Sequence, residues 1–405
     1  MTENTTPPTV VVLGGGYSGT LAANQLRMRG GGIRPDVTLV NPRPTFVERI
    51  RLHQVVTGGY DAALDYSTVL GDGIDLIVDT ATRIEAAARS VRLASGRSLD
   101  YDYLIYAVGS TAAVPSSVPG VGEFAYTVAE LEEAQRLHAR LVDLHPAAPI
   151  TVVGGGLTGI EVAAELAEQG RRVTLVCGGQ LAPTLSDRGR RSVGRVLARL
   201  GVAVLADDVV AEVRADAVVF ADGAVRPTAV TVWAAGFAAP GLASASGLSV
   251  DIVGRLRTDE TLTSVDDDRI VAAGDCAAPS SAPLRMCCAT ASQLGPQAAN
   301  TVLSRIAGTE PAALEYGFAG NSCTSLGRRR GIFQFGRSDT TPINLYLGGR
   351  AAAAFKEIVC RGTVWGLRRQ ARKPGSARWF TGGPRPSADD GRLREEPVTE
   401  TGGHL

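Results

Sequence analysis

The chain has 405 residues, of which 41 are basic and 41 acidic, so its formal net charge is zero. At roughly 100–200 residues per domain this length predicts two or three domains. The balanced charge provides no overall field for nucleic acid, so we expect no nucleic-acid partner. The six cysteines form no CxxC pair, and no Cys/His group has metal-ligand spacing, so we expect no metal site.

The sequence contains no predicted signal peptide or membrane span, and it contains almost no lysine. Residues 1–9 lack the basic start and apolar stretch of a signal peptide, and no run reaches the roughly 20 apolar residues that span a bilayer. We therefore expect a cytoplasmic protein with reduced thiols. Among the basic residues only Lys356 and Lys373 are lysines, which we interpret as a codon bias.

The first predicted unit is a strand, a glycine turn, a helix and a second strand. Residues 10–13 form an apolar run that ends in Gly14-Gly15-Gly16-Tyr17-Ser18-Gly19, and a second strand follows at 37–40. A dinucleotide turn needs glycine for a tight bend, for close approach of the pyrophosphate and for close helix packing. The spacing of the glycines satisfies all three needs.

The same pattern returns about 140 residues later. Residues 150–153 lead into Gly154-Gly155-Gly156-Leu157-Thr158-Gly159, and a strand follows at 173–176. Two copies predict two dinucleotide sites and an internal repeat of a whole domain. Because hydride transfer needs two stacked rings, we expect one tightly held and one exchanging cofactor, with FAD and NADH or NADPH as the pair.

Later segments return the chain to the first unit. Residues 131–144 predict a helix, 229–235 predict a buried strand that ends at Gly236, and 269–273 predict a strand followed by Gly274-Asp275. Ligands of doubly wound sheets lie at the carboxyl ends of such strands. We predict an α/β fold of two Rossmann-like domains, the second inserted in the first, with a C-terminal α+β region. The predicted bounds are 8–112 with 241–305 for FAD, 113–240 for NAD(P)H, 306–373 for the C-terminal region and 374–405 for a disordered tail.

The sequence resembles the two-dinucleotide-binding flavoproteins, the pyridine nucleotide-disulfide oxidoreductase superfamily, over residues 8–305. Both glycine turns carry the resemblance, together with the segments at 103–110 and 270–277. The resemblance implies as FAD ligands Gly14, Gly16, Tyr17, Ser18, Gly19, Asn41, Ala107, Gly109, Gly274 and Asp275. It implies as ligands of the nicotinamide nucleotide Gly154, Gly156, Leu157, Thr158, Gly159, Cys177 and Gly236.

Asn41 and Cys177 stand where an acidic residue usually receives the adenosine ribose. The absence of an acid at Cys177 removes a repulsion against a 2′-phosphate, and Arg171, Arg172 and Arg188 lie near in sequence. NADPH therefore remains an alternative to NADH.

Within the superfamily the segments at 232–237 and 283–295 look most like the type II NADH dehydrogenases and the apoptosis-inducing-factor-like reductases. This resemblance implies NAD(P)H dehydrogenase activity with a quinone as electron acceptor. Type II enzymes carry two glutamines after the Gly-Asp motif; Gln293 matches the second, and Ala289 occupies the first. The resemblance places Glu161 beside the nicotinamide and flavin, and His53 is a candidate proton carrier.

The vicinal cysteines Cys287 and Cys288 are interpreted as buried structural residues, with a redox role as the alternative. Residues 361–380 contain six basic and no acidic side chains among apolar ones, a composition typical of a segment that lies on an anionic bilayer. A solvated basic tail is the alternative. The cluster Arg328-Arg329-Arg330 suits a nucleotide phosphate or a plain surface.

We therefore predict an FAD-dependent oxidoreductase that passes electrons from NAD(P)H to a quinone. We expect it to contact the inner face of the membrane peripherally, and a homodimer is compatible with this interpretation. One alternative is a reductase for a small redox protein of the rubredoxin or ferredoxin type. Its electron transfer would weaken at high salt. The other is a slow-turnover redox sensor, which rapid multiple turnover would contradict.

Overall fold

The computed structural model describes residues 6–279, 284–315, 320–337 and 340–377. In these residues the strands in chain order are β1 (Thr9–Leu13), β2 (Asp36–Asn41), β3 (Thr45–Val47), β4 (Ala63–Asp65), β5 (Ile74–Val78), β6 (Ala81–Glu85), β7 (Ser90–Leu93), β8 (Ser98–Asp100), β9 (Tyr103–Tyr106), β10 (Thr111–Ala112), β11 (Ala125–Thr127), β12 (Pro149–Val153), β13 (Arg172–Val176), β14 (Ala203–Leu205), β15 (Val210–Val213), β16 (Ala217–Phe220), β17 (Val225–Pro227), β18 (Val230–Trp233), β19 (Phe237–Ala238), β20 (Leu256–Thr258), β21 (Ile270–Ala272), β22 (Ala277–Pro279), β23 (Ser322–Ser325), β24 (Gly331–Gly336) and β25 (Pro342–Gly348). The helices are α1 (Tyr17–Gln25), α2 (Leu52–Val56), α3 (Val121–Phe124), α4 (Leu131–Val142), α5 (Leu157–Glu168), α6 (Asp187–Arg199), α7 (Leu242–Ala245), α8 (Cys288–Ile306) and α9 (Gly349–Arg372).

Two parallel five-stranded sheets form the centre of the molecule. The first has the order β21-β9-β1-β2-β5 and the second the order β11-β18-β12-β13-β14. The inner strands of both are apolar and buried, as parallel strands covered by helices on both faces must be. Each sheet contains the same succession of strand, glycine turn, helix and strand, namely β1–α1–β2 in the first and β12–α5–β13 in the second. The predicted α/β fold with a repeated unit is confirmed.

The chain leaves the first sheet after β9 and returns to it at β21, which inserts the second sheet into the first unit. A short antiparallel ribbon joins the two passages, with Thr111 opposite Ala238 and Ala112 opposite Phe237. The predicted boundaries near 112 and 240 border this ribbon. We retain these boundaries, and those of the C-terminal region, as a proposal.

The C-terminal region is an antiparallel sheet, β23-β24-β25, with α9 packed on it. Gln334, fully buried on β24, joins this sheet to α6 of the second unit. Its Oε1 accepts hydrogen bonds from the backbone N–H and the Oγ of Ser186 at 3.2 and 2.9 Å, and its Nε2 donates to the carbonyls of Phe335 and Leu345 at 2.8 and 3.0 Å. Because Ser186 also caps α6, one side chain positions both elements.

No helix in the described ranges is long and apolar enough to cross a membrane. The predicted disordered tail lies outside the described residues from position 378 onward. The same holds for Arg378, Trp379 and Phe380 of the predicted membrane segment.

Replacing Gln334 by leucine should lower the free energy of unfolding by about 2–4 kcal/mol, because several buried groups lose their hydrogen-bond partners. Urea unfolding followed by circular dichroism measures the change. Gln297→Leu is the control, since Gln297 is partly exposed and makes one bond to the Ala312 carbonyl. Equal effects of the two substitutions would contradict the role of Gln334.

Candidate active site

The first glycine turn, between β1 and α1, is closed on one side and open on the other. Gly14 has a φ of 96°. A Cβ there would lie 2.4 Å from the Ala107 carbonyl oxygen, and a Cβ on Gly19 would lie 1.8 Å from the Gly14 carbonyl oxygen. A Cβ on Gly16 would meet nothing within 4 Å. Gly14 and Gly19 are therefore required by packing, whereas Gly16 faces open space.

The second turn, between β12 and α5, has the same geometry. Gly154 has a φ of 125°, and its Cβ would lie 2.5 Å from the Ala234 carbonyl oxygen. A Cβ on Gly159 would lie 2.0 Å from the Gly154 carbonyl oxygen, and Gly156 again faces open space. The sequence repeat is thus also a repeat of backbone contacts.

Both turns suit a phosphate group at the open glycine. Gly16 and Gly156 precede the first residues of α1 and α5, and neither helix start has a side-chain cap or an acidic residue in its first turn. Leu157 and Thr158 are the first residues of α5. The positive ends of the helix dipoles and the free backbone N–H groups therefore point to the open positions.

The segments that follow β9 and β18 extend the repeat. Gly109 and Gly236 have φ values of 75° and 97°, a left-handed conformation that glycine adopts without strain. The two positions lie at the carboxyl ends of strands that flank the glycine turns, where a doubly wound sheet binds its ligand.

Asp275 lies in the turn after β21, beside Gly274. Its Oδ2 accepts a 2.7 Å hydrogen bond from Ser110 Oγ, while its Oδ1 is buried without a partner in the described residues. Burial raises the pKa of Asp275, against the lowering effects of Ser110 and of the nearby cation Arg49. On α8, which packs on this turn, Gln293 also has a buried oxygen, Oε1, without a partner there.

These two buried acceptors match the hydroxyl and N–H donors of a ribityl chain and flavin ring, because a buried acceptor is costly unless a donor reaches it. The first glycine turn supplies a pyrophosphate site at the same sheet edge. The residues present therefore fit FAD.

Three other predicted FAD ligands use their side chains within the protein. Ser18 Oγ donates to the Ala291 carbonyl at 2.8 Å, and the Tyr17 ring packs edge-on against Phe46 with centroids 5.1 Å apart. Asn41 Oδ1 accepts from the Gly15 N–H at 2.9 Å and so supports the glycine turn. Their side chains hold the turn in place, which leaves their backbone groups for a ligand.

The predicted nucleotide ligand Cys177 packs against the second glycine turn. A Cβ on Gly155 would lie 2.7 Å from its Cβ, and burial raises the pKa of its thiol to about 11. Arg171, in contrast, donates to the carbonyls of Leu144 and Leu141 at 2.9 and 2.7 Å. This guanidinium therefore serves as a cap for the end of α4.

A buried ionic cluster forms where the two sheets and the C-terminal region meet. Glu161, one turn into α5, lies with its Oε1 3.1 Å from Lys356 Nζ of α9 and 2.9 Å from the Ser325 N–H, which donates to it. Its Oε2 lies 3.6 Å from Nδ1 of His53 on α2. Lys356 Nζ also donates to the Cys323 carbonyl at 3.2 Å. Three helices that are far apart in the chain, α2, α5 and α9, thus supply one titratable side chain each.

The charge states within the cluster follow from these contacts. The pKa of Glu161 is lowered despite burial, by Lys356, by His53 and by the Ser325 N–H. The pKa of Lys356 is raised despite burial, chiefly by Glu161. Burial lowers the pKa of His53 to about 4, although Glu161 opposes this effect. At neutral pH the cluster is therefore a carboxylate, an ammonium and a neutral imidazole.

A second ion pair attaches the neighbouring residue of α9 to the first unit. Glu357 forms a two-point pair with Arg51, both oxygens at 2.9 Å. Arg51 lowers the pKa of Glu357 to about 2, with help from Arg361. Two consecutive side chains of α9 therefore bind the two nucleotide units.

Lys356 is not among the site residues predicted from the sequence, where the rarity of lysine is interpreted as a codon bias. The available signal was that this chain uses lysine at two of its 41 basic positions. A lysine presents a compact charge with a titratable proton, whereas arginine stays charged at any ordinary pH.

The cysteines and the arginine cluster have structural contacts. All six cysteines are free, and burial raises the pKa of the Cys288 thiol to about 12. Asp275 raises the pKa of this thiol further and Lys356 lowers it, and the turn that carries Asp275 packs on α8.

The arginine cluster at 328–330 lies in the turn between β23 and β24. The backbone N–H of Arg328 donates to Glu168 of α5 at 2.5 Å, which fixes this turn on α5.

Comparison with known proteins agrees with this geometry. The model of the pyridine nucleotide-disulphide oxidoreductase family matches residues 8–301. The chain belongs to this family.

Individual members are similar over much of the chain. An NADH dehydrogenase-like protein of Mycobacterium tuberculosis is 32% identical over 302 residues, which cover 66% of this chain and 72% of that protein. A type II NADH:quinone oxidoreductase of Haemophilus influenzae is 26% identical over 329 residues, covering 66% and 73%. The fold matches NDH2 of Plasmodium falciparum, solved with NADH, at a TM-score of 0.76 and 16% identity, over 92% of this chain and 99% of that one.

For this member of the family, Gly156→Ala should fold with unchanged stability but bind nicotinamide nucleotides at least about tenfold more weakly, since its Cβ would fill the phosphate position. Gly159→Ala should instead lower the melting temperature, because its Cβ would overlap the Gly154 carbonyl. Thermal unfolding and titration calorimetry with NAD⁺ separate the two effects. A loss of stability in Gly156→Ala would contradict the open position.

Proposed function

We propose that this protein is an FAD-dependent NAD(P)H:quinone oxidoreductase. The observation that carries the proposal is the buried Lys356–Glu161 pair, 3.1 Å apart, whose carboxylate lies on the helix that follows the second glycine turn. The names of two similar proteins support it, a type II NADH:quinone oxidoreductase and an NDH2 solved with NADH.

The predicted ligands keep their assigned places in this proposal. The first glycine turn, Asp275 and Gln293 would hold FAD, and the second turn with Gly236 would hold the nicotinamide nucleotide. FAD supplies the redox chemistry, because it accepts a hydride and passes on two electrons. The chain's own contribution is to position both ligands and to manage protons.

A quinone that takes up a hydride equivalent, which is two electrons and one proton, needs one further proton to become the quinol, and the ionic cluster provides a donor for it. Lys356 Nζ is held protonated by Glu161, and its cation would polarise a quinone carbonyl before it donates the proton. Glu161 orients the ammonium group and stabilises its charge. His53 is buried and neutral, with its Nδ1 3.6 Å from Glu161 Oε2, so it lies in position to exchange a proton with that carboxylate.

Lys356→Met should slow reoxidation of the reduced flavin by a quinone about 100-fold and leave reduction of the flavin by NADH unchanged, because the proton donor serves only the second step. Anaerobic stopped-flow absorbance measures both steps. Lys373→Met, at the exposed end of α9, is the matched control. Equal loss in both half-reactions would contradict the assignment.

Glu161→Gln tests the pairing through its pH dependence. The carboxylate raises the pKa of Lys356, so its removal lets burial lower that pKa. The rate of the quinone step should then fall with rising pH at a lower pH than in the wild type. His53, with a pKa of about 4, contributes no titration between pH 6 and 9. An unshifted alkaline limb would contradict the pairing.

The exposed face of α9 and β25 supports peripheral contact with a membrane. Ile358 and Trp365, two turns apart on α9, are 66% and 62% exposed, and Leu345 on β25 is 57% exposed. The Arg369 guanidinium lies over the Trp365 ring at 5.2 Å. Apolar side chains flanked by arginines suit the boundary between anionic headgroups and acyl chains. This proposal places the protein on the inner face of a membrane, where it would meet a lipid-soluble quinone.

The double variant Ile358→Ala/Trp365→Ala should lose several-fold in binding to vesicles that contain phosphatidylglycerol, because buried apolar area supplies much of the affinity. Co-sedimentation measures the binding, and turnover with a water-soluble quinone should not change. Val142→Ala, on exposed α4, is the control. If this face instead joins two copies of the chain, sedimentation velocity will show a dimer that the double variant dissociates, and the membrane proposal falls.

A further inference from the structure

The turn after β14 brings acidic side chains to the end of β13. The backbone N–H of Cys177 donates to the Leu205 carbonyl at 2.8 Å, and that of Gly178 donates to the Asp208 carbonyl at 3.1 Å. The Gly179 N–H also donates to the Ala206 carbonyl at 2.8 Å, so the regular pairing of β13 and β14 ends here and the backbone bends at residues 206 and 207. Asp207 lies in this bend, beside the residues that follow Cys177, where an acidic ribose ligand is missing.

Asp207 is close to the side chain that faces the nucleotide turn. Its charge raises the pKa of the Cys177 thiol, next to the larger effect of burial. Cys177 in turn packs against Gly155 of the glycine turn. Asp207 is exposed and makes no hydrogen bond or ion pair within the described ranges, so its charge is not neutralised by a neighbour.

Of the arginines near this segment in sequence, Arg171 and Arg190 have partners within the protein. Arg171 donates to two carbonyls at the end of α4, and Arg172 begins β13 at the edge opposite the glycine turn. Arg188 lines a surface cavity with Tyr346 of β25. Arg190 lies 3.4 Å from Asp187, which offsets its charge.

We propose that Asp207 selects NADH over NADPH, by repelling the 2′-phosphate from the adenosine-ribose end of the second nucleotide site. The neighbouring strand thus supplies the carboxylate that position 177 lacks. This inference rests on the proposed function, because it assumes that the second glycine turn binds the electron donor.

A charge that acts on a phosphate dianion a few ångströms away through solvent changes its affinity by about tenfold. We therefore expect wild-type flavin to be reduced by NADH with a kcat/KM at least about tenfold above that for NADPH. Asp207→Asn should raise the value for NADPH roughly tenfold and leave that for NADH within about twofold. Asp207→Arg should narrow the difference in kcat/KM between NADH and NADPH further.

Binding provides a readout apart from turnover. Titration calorimetry of the flavin-loaded protein should show that Asp207→Asn tightens NADP⁺ binding and leaves NAD⁺ binding unchanged. Added salt should narrow the difference in affinity between NAD⁺ and NADP⁺ more in the wild type than in the variant, because salt screens the exposed charge of Asp207. Asp216→Asn, the same charge change in the turn between β15 and β16, is the control and should leave the preference unchanged.

The outcomes separate this inference from the proposed function. Equal use of NADPH and NADH by the wild type, or an unchanged preference in Asp207→Asn, would overturn the role of Asp207. Absence of flavin, or of flavin reduction by either nucleotide, would instead overturn the proposed function.

Discussion

The ion pair between Lys356 and Glu161 is the interaction on which the arrangement of this protein depends. Removing two charges from water is costly, and the cost is offset only when each finds a close partner of opposite charge and further hydrogen bonds. Glu161 has both, from the ammonium group and from the Ser325 N–H. A helix of the C-terminal region is thereby fixed against the second nucleotide unit, at the place proposed for protonation of the electron acceptor.

Features that depend on local sequence could be predicted. The glycines at 14, 16 and 19, and again at 154, 156 and 159, form a local pattern that predicts the turn; in the structure the first and last of each set are required by backbone contacts, and the middle one faces open space. The predicted helix at 131–144 and strand at 229–235 correspond to α4 and β18, each shorter by a few residues. Periodicity identifies such elements because their buried faces repeat within a few residues.

Features that depend on distant partners could not be predicted. The sequence indicated Glu161 and His53 as candidates, but Lys356 comes from a helix far along the chain, and only the packed fold brings it to Glu161. Likewise, Cys177 indicated the lack of an acid, while Asp207 comes near it only because the bend after β14 lies against the end of β13. The same holds for the exposed face of α9 and β25, because composition suggested a membrane segment and only the fold shows which of its side chains are exposed.

The C-terminal region contacts both nucleotide units and holds them together. Near its start, α9 binds α5 through Lys356, and at its end Gln370 and the Ala371 carbonyl bond with Gln25 and Arg27 beside α1. A hinge-like opening between the two units would break these contacts at one end of α9 or the other. The contacts of α9 therefore oppose such a movement, and the packed structure holds the two glycine turns at a fixed separation.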